Sequence, residues 1–357
     1  MKRLDRYVLK EISIPLIIGT VVFAMLFMAN DLIFIYKTFN VDAIPFVAIL
    51  QMLFFKFPYW LNITLPIGTS LGCSLAISRL ARESELTAMR AAGISIFRVF
   101  MPLLVTGLAM AVLNYYVVEK VVPPSSKAYR RVVNEVGFLA ATPNFKSNVM
   151  LSIDRFSASF GSIQRMRTGQ VLMRDIVMIE RPRPNEIMLY HSANGTYEDG
   201  IWTIQAPTWF DLKGTVLVAG GTKDKMTINE PIRVADLFLA PVPEETSAED
   251  LAQAIKQAKE HKLPTNDLEV KYHQKFSVPA ACLIFAFTGA VFATRFSKSG
   301  PFIGVMVSFG IVWIYFNIYI ITGDIFGKHA WIPPIVAAWI PNVLFFAIGL
   351  IFVRRLE

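Results

Sequence analysis

The chain has 357 residues, of which 54% are hydrophobic and only 17% charged. That balance, with apolar runs longer than the roughly 20 residues of helix that cross a bilayer, excludes an ordinary soluble protein. The net charge of +8 raises nucleic-acid binding as a function. The basic residues, however, flank apolar runs mostly on one side, a pattern that positive-inside topology explains with no nucleic acid.

The N-terminus carries Lys2, Arg3, Arg6 and Lys10, with Leu4, Val8 and Ile12 at helical spacing. It predicts a segment lying on the membrane surface ahead of a first span over 12–36, too long for a signal peptide. Asn30 and Asp31 then fall near the far boundary. Residues 44–80 are too long for one span and are interrupted by Pro58 and Pro66. They predict an interfacial helix over 44–57 and a second span over 60–78, with Lys56 snorkelling beside Tyr59 and Trp60. Residues 79–92 predict a short charged amphipathic helix ended by Gly93, and 96–118 a third span, with a sharp change of composition after Pro123-Pro124.

No run of spanning length follows until Asp267. Alternating stretches at 171–179, 187–190, 202–205 and 216–218 predict strands, and Asn194-Gly195, Asp199-Gly200 and Gly220-Gly221 predict turns, together a small sandwich or jelly roll. Ser247 and Asp250 form a capping-box pattern for a helix running to Lys262. Three further spans are predicted over 276–294, 301–323 and 332–353, with Pro301 and Pro333-Pro334 at helix starts. The fold class is a polytopic α-helical membrane protein with six transmembrane helices and an inserted extracytoplasmic β-jellyroll-like domain. Its parts are transmembrane helices 1–3 over 1–124, the β-rich domain over 125–267 and transmembrane helices 4–6 over 268–357.

Arg79, Arg82, Arg90, Arg98, Arg295, Lys298, Arg354 and Arg355 join the N-terminal cluster on one side, whereas the short loops opposite hold little beyond Lys37 and Lys328. This predicts cytoplasmic termini and an extracytoplasmic β domain.

No Walker A pattern, H-E-x-x-H helix, G-x-S-x-G elbow or cluster of metal ligands is present, and His191, His261, His273 and His329 are scattered. No catalytic residue, metal site or cofactor is expected. Cys73 and Cys282 lie in apolar runs without a zinc or disulfide pattern and read as buried free thiols. The 79–92 helix is a solvated connector or a coupling helix docking on a soluble ATPase, with Arg82, Glu83, Glu85 and Arg90 as its charges and Leu86 and Met89 as apolar anchors. Lys127, Arg130 and Arg131 form a basic cluster with Lys127 and Arg131 on one helix face, either solvated or meeting lipid phosphates. Asp31, Lys37, Trp313, Phe316 and Tyr319 complete the candidate lipid contacts. Packing between helices is the alternative for the aromatic residues, and headgroup snorkelling for Lys37.

The run R-L-A-R-E-S-E-L-T-A-M-R-A-A-G-I-S resembles the loop between spans two and three of the LptF/LptG (YjgP/YjgQ) permeases. The N-terminal L-D-R-Y-V-L-K-E and the C-terminal K-F-S-V-P-A-A-C-L-I-F-A, I-P-P and W-I-P-N blocks are similar to that family too. The resemblance implies a permease subunit of an ABC-type lipopolysaccharide exporter in the bacterial inner membrane. Its expected partners are an LptB-like cytoplasmic ATPase, a second LptF/LptG-type permease (paralogue or identical chain), LptC-like and LptA-like bridge proteins, and lipopolysaccharide. By the same resemblance Glu85 is the coupling-helix glutamate, Arg130 a basic position after the third span, and Lys37 the nearest match to a lysine at the outer end of the first. Two alternatives remain open: a non-transporting scaffold for a trans-envelope bridge, and a permease of another ABC lipid or lipoprotein exporter.

Overall fold

In the computed structural model, residues 3–38, 44–139, 149–153, 156–165, 171–183, 186–198, 201–213, 216–229, 243–260, 263–296 and 301–354 are described. Lys2, His261, Lys262, Lys298, Arg355 and the Asp199-Gly200 pair lie outside them. Helix α1 (Arg3–Thr38) and α2 (Phe46–Arg82) are each uninterrupted. The surface segment expected before the first span and the interfacial helix expected over 44–57 are therefore continuous with the spans that follow them. Pro66 shows why a proline need not end a membrane helix. It removes one N–H and frees the carbonyl four residues back, and a neighbouring helix supplies the missing donor. Here the freed carbonyl is that of Asn62, and Asn114 Nδ2 donates to it at 2.9 Å.

The short helix α3 (Glu85–Ala91) precedes α4 (Ile96–Tyr116), whose N-cap Ser95 accepts from the Arg98 N–H. A π turn, Val117–Val121, carries α4 directly into α5 (Val122–Leu139). The helix thus continues past 118, the expected end of the third span, and Pro123 and Pro124 occupy the first turn of α5. The π turn ahead of them has already shifted the bonding by one residue, with the Val122 N–H on the Val117 carbonyl. After the β domain come a 3-10 turn at Pro243–Glu245, α6 (Ala248–Glu260), α7 (Asn266–Phe296), α8 (Pro301–Ile320), a second π turn (Ile321–Gly327) and α9 (Pro334–Val353). Among the described residues six helices are long and apolar enough to cross a membrane: α1, α2, α4 with α5, α7, α8 with its π turn, and α9.

Two compact units are distinguished: Met1–Asp31, Leu53–Lys127 and Val242–Glu357 form one, Leu32–Met52 and Ala128–Pro241 the other. In the first, α7 is the central post, with 72% of its most apolar stretch buried against 11–33% for the other spans. It packs on α4, α9, α8 and α6. Helices α1 and α2 meet through small residues. A Cβ on Gly72 would lie 2.7 Å from Leu16 Cβ, and one on Gly68 2.9 Å from the Leu16 carbonyl, so the G-x-x-x-G spacing lets the two backbones touch. One apolar cluster joins Val8, Ile77, Phe100 and Val291 near the end where α1 begins and α9 ends (the terminal end), and a second joins Ile67, Phe285, Tyr315 and Phe345 further along. Cys73 and Cys282 are fully buried free thiols. Within the bundle the Tyr315 hydroxyl donates to Asn342 Oδ1 at 2.9 Å, and Asn342 Nδ2 donates to the Ser277 carbonyl at 2.8 Å, tying α8, α9 and α7.

Among its described residues the second unit holds an antiparallel sheet of eight strands: β1 (Val149–Ile153), β2 (Phe156–Arg165), β3 (Val171–Arg183), β4 (Glu186–Glu198), β5 (Ile201–Gln205), β6 (Thr208–Lys213), β7 (Val216–Thr222) and β8 (Lys225–Asn229). The order is β1-β2-β3-β4-β5-β8. The sheet forks at β4, which pairs β5 through Asn194–Glu198 and β6 through Glu186–His191, with β7 beyond β6. Met173, Ile176, Met178, Tyr190, Trp202, Ile204 and Ile228 turn inward to form its core, the alternation along β3 changing phase at Asp175 (φ 52°). Burial, then the Glu180 carboxylate that its hydroxyl reaches at 3.1 Å, push the Tyr190 phenol up to about 12, so it remains a donor throughout the physiological range.

Two glycine pairs expected as turns lie inside strands. Asn194-Gly195 is in β4, where a Cβ on Gly195 would meet Ile176 Cδ1 at 2.4 Å. Gly220-Gly221 is in β7, where Cβ atoms would sit 3.3 Å from Phe210 Cδ1 and 3.2 Å from Trp209 Nε1. These glycines make room for large neighbours rather than for reversals.

Candidate functional site

The 79–92 helix expected from sequence is two pieces. Residues 79–82 end α2, Ser84 takes a left-handed conformation (φ 58°), and α3 starts at Glu85. Helix α3 closes as a Schellman motif: the Gly93 N–H reaches the Arg90 carbonyl at 2.9 Å and the Ile94 N–H the Met89 carbonyl at 3.0 Å, with Gly93 at φ 81°. Its apolar side faces this chain. Leu86, 5% exposed, lies in the cluster shared by α1, α2, α4 and α7, and Met89 and Ile94 pack against that cluster. Leu86 therefore does not serve as an anchor offered outward. Thr87, Ala88, Arg90 and Ala91 are the exposed positions of α3, and Arg82 and Glu83 at the end of α2 are exposed as well.

Glu85 is held from behind. The Tyr7 hydroxyl lies 2.8 and 3.0 Å from its two carboxylate oxygens. Around this contact Arg98 pairs Asp5 at 2.7 Å, and Arg79 bridges Glu11 and Glu83. The N-terminal turns of α1 thus brace α3 and the start of α4.

At the opposite end of the bundle lies a polar girdle whose pairings the sequence did not reveal: Asp31, expected as a lipid contact, and Lys56, expected to snorkel, both have partners within the chain. Trp60 Nε1 donates to Asp31, and its ring stacks on Phe27 with centroids 4.7 Å apart. Lys56 pairs Glu245 and sits 4.5 Å over the Tyr59 ring. Lys271 bridges Glu244 at 2.8 Å and Asp324 at 2.7 Å. Glu119 accepts the Ala248 N–H at 2.9 Å while Ser247 Oγ takes that of Asp250 at 3.1 Å, so α6 has its first donors satisfied. The 243–248 segment is thereby fastened to α2, α7 and the π turns after α4 and α8. The signal that could have found this was the acidic pair Glu244-Glu245 beside a capping box, with Lys271 and Lys275 one helical turn apart.

The remaining candidates separate. Lys127 and Arg131 are both exposed on α5, four residues apart, and Arg130 is half-buried. Lys37 is exposed at the end of α1. In α8, Trp313 is 69% exposed, Phe316 and Tyr319 are partly covered and contact each other edge to face, and Tyr315 belongs to the core. No group of three or more potential metal ligands occurs among the described residues.

The family described as lipopolysaccharide export system permease LptF/LptG matches residues 6–355. The chain belongs to the LptF/LptG family. It is accordingly a multi-pass inner-membrane permease of the lipopolysaccharide export system. Among individual curated proteins none matches the chain. The blocks that carry the family likeness acquire a physical reason here. The L-D-R-Y block supplies Asp5 and Tyr7, which hold Arg98 and the Glu85 of the S-E-L run, and the W-I-P-N block supplies Asn342, which ties three spans.

Proposed function

We propose that this LptF/LptG-family chain is one of two permease subunits of an ABC-type exporter that lifts lipopolysaccharide out of the inner membrane and passes it to a periplasmic β-jellyroll bridge. An LptB-like ATPase works beneath it, a second LptF/LptG-type chain beside it, and LptC-like and LptA-like proteins beyond it. The termini and α3 face the cytoplasm and the β domain the periplasm, which the Lys and Arg bias supports.

The attachment of α3 carries this reading. A subunit driven by a separate ATPase needs a lever that moves as one body with the spans. In α3, Leu86 is packed into a cluster drawn from α1, α2, α4 and α7, and Glu85 is gripped by Tyr7. In our reading Leu86 and Met89 fasten the lever to the permease, while Arg82, Glu83, Arg90 and the exposed faces of Thr87 and Ala88 meet the ATPase, with Glu85 transmitting the load. Lipid extraction sets the demand: at about 0.8 kcal/mol per methylene, on the order of 50 methylenes cost tens of kcal/mol in water. A continuous apolar route is therefore required, and the inward face of the β sheet (Met173, Met178, Trp202) is chemically suited to extend it. Trp313, Phe316 and Tyr319 would meet acyl chains, and Asp31, Lys37, Lys127, Arg130 and Arg131 the headgroup region.

Glu85→Ala tests the coupling role. The expected result is a complex that still assembles but hydrolyses ATP without exporting lipid. Undiminished lipid export would overturn it.

A further inference from the structure

At the terminal end, a cavity of about 520 Å³ opens between the N-terminal half of α1 and the C-terminal end of α2. It is lined by the apolar Ile14, Pro15 and Leu75, and the exposed Lys10, Arg79 and Arg82 stand beside Glu11 at its rim. Arg79 is already paired with Glu11 and Glu83. Lys10 and Arg82 are exposed and have no ion pair among the described residues, so they leave the rim positive. Ser78, also on the wall, is 6% exposed and bears a buried hydroxyl with no hydrogen-bond partner among the described residues. From Ile14, which is 60% exposed, the outward face of α1 continues through Ile18 and Val21 as apolar surface running into the membrane.

A positive rim and an apolar track leading away match a phosphodiester joined to acyl chains. We propose that this cavity binds an anionic phospholipid from the leaflet at the terminal end. Lys10 and Arg82 meet its phosphate, and an acyl chain lies along Ile14 and Ile18. The cavity adjoins the α2–α3 junction through Arg79 and Arg82, so a bound lipid braces the segment that leads into α3. The assignment does not depend on what the permease transports; Arg82 also belongs to the proposed ATPase contact, so the lipid site is read on the chain without that partner.

The test reconstitutes the full chain in nanodiscs of phosphatidylcholine with increasing phosphatidylglycerol and counts retained lipids by native mass spectrometry. Each cationic side chain at a membrane surface changes anionic-lipid affinity about fivefold. Retained phosphatidylglycerol should therefore exceed phosphatidylcholine in the wild type and fall roughly thirtyfold in affinity in K10Q/R82Q, whereas K10R/R82K keeps it. Equal retention of the two lipids, or no loss in K10Q/R82Q, would overturn the proposal. Displacement by excess inorganic phosphate would do so too, by showing a free-phosphate site instead.

Discussion

Tyr7 and Glu85 are 78 positions apart in the chain, yet the hydroxyl of one grips both oxygens of the other. A hydrogen bond to a charged group contributes about 1.5–3 kcal/mol when sheltered, and less at a half-exposed site such as this. Tyr7→Phe should then leave the amount of folded protein unchanged and reduce export per ATP hydrolysed about fivefold, a loss of about 1 kcal/mol. A variant indistinguishable from wild type in a reconstituted export assay would remove Tyr7 from the coupling path. The carbonyl of Asn62 offers a cleaner thermodynamic test. Asn114→Ala strips it of its donor and should destabilise the chain by about 1 kcal/mol, whereas in a Pro66→Ala background the restored helical N–H should make the same change nearly neutral. A double-mutant cycle of thermal unfolding in detergent reads this directly, and additive effects would refute the pairing. Glu85 was legible in the sequence because it stands in a recognisable run. Its partner was not, because nothing local to Tyr7 distinguishes a hydroxyl that braces α3 from one at a headgroup boundary.

Among the elements, α2 and the glycine-bearing strands show what local signals miss. The reading of Pro58 and Pro66 as a break applied a rule whose force comes from unsatisfied backbone groups, and in a bundle a neighbouring helix can satisfy them. Likewise Gly195 and Gly220 read as turns because glycine is permissive, although their role is set by Ile176 and Phe210 on adjacent strands. Hydropathy length, by contrast, is an intrinsic property of a segment, so the spans were visible without any partner. Where α1 and α2 touch, Gly72→Leu must force a side chain where even a Cβ comes within 2.7 Å of Leu16. Such overpacking should lower stability by about 1–3 kcal/mol, seen as a melting temperature several degrees lower. An unchanged transition would mean that the two helices do not pack this closely.

At the level of the whole molecule, the orientation can be read with single cysteines, because the native thiols Cys73 and Cys282 are fully buried and add little background. Arg90→Cys is expected to react with a membrane-impermeant maleimide only after the inner membrane is opened, and Lys37→Cys without opening it. The reverse pattern would invert the topology argued from the Lys and Arg bias. The polar girdle was the least legible part of the site. Its residues come from positions 31, 56, 60, 119, 244, 245, 271 and 324, which only the folded bundle brings together. Two of the spans leave that girdle through π turns, Val117–Val121 and Ile321–Gly327. A π turn contains about one residue more than an α turn, and each residue advances an α-helix by about 100°. The turn after α4 thus acts as a phase adjuster: it sets the direction in which the first turns of α5 present Lys127 without altering the side chain. The compass bearing of that lysine is encoded in the length of the chain rather than in its chemistry.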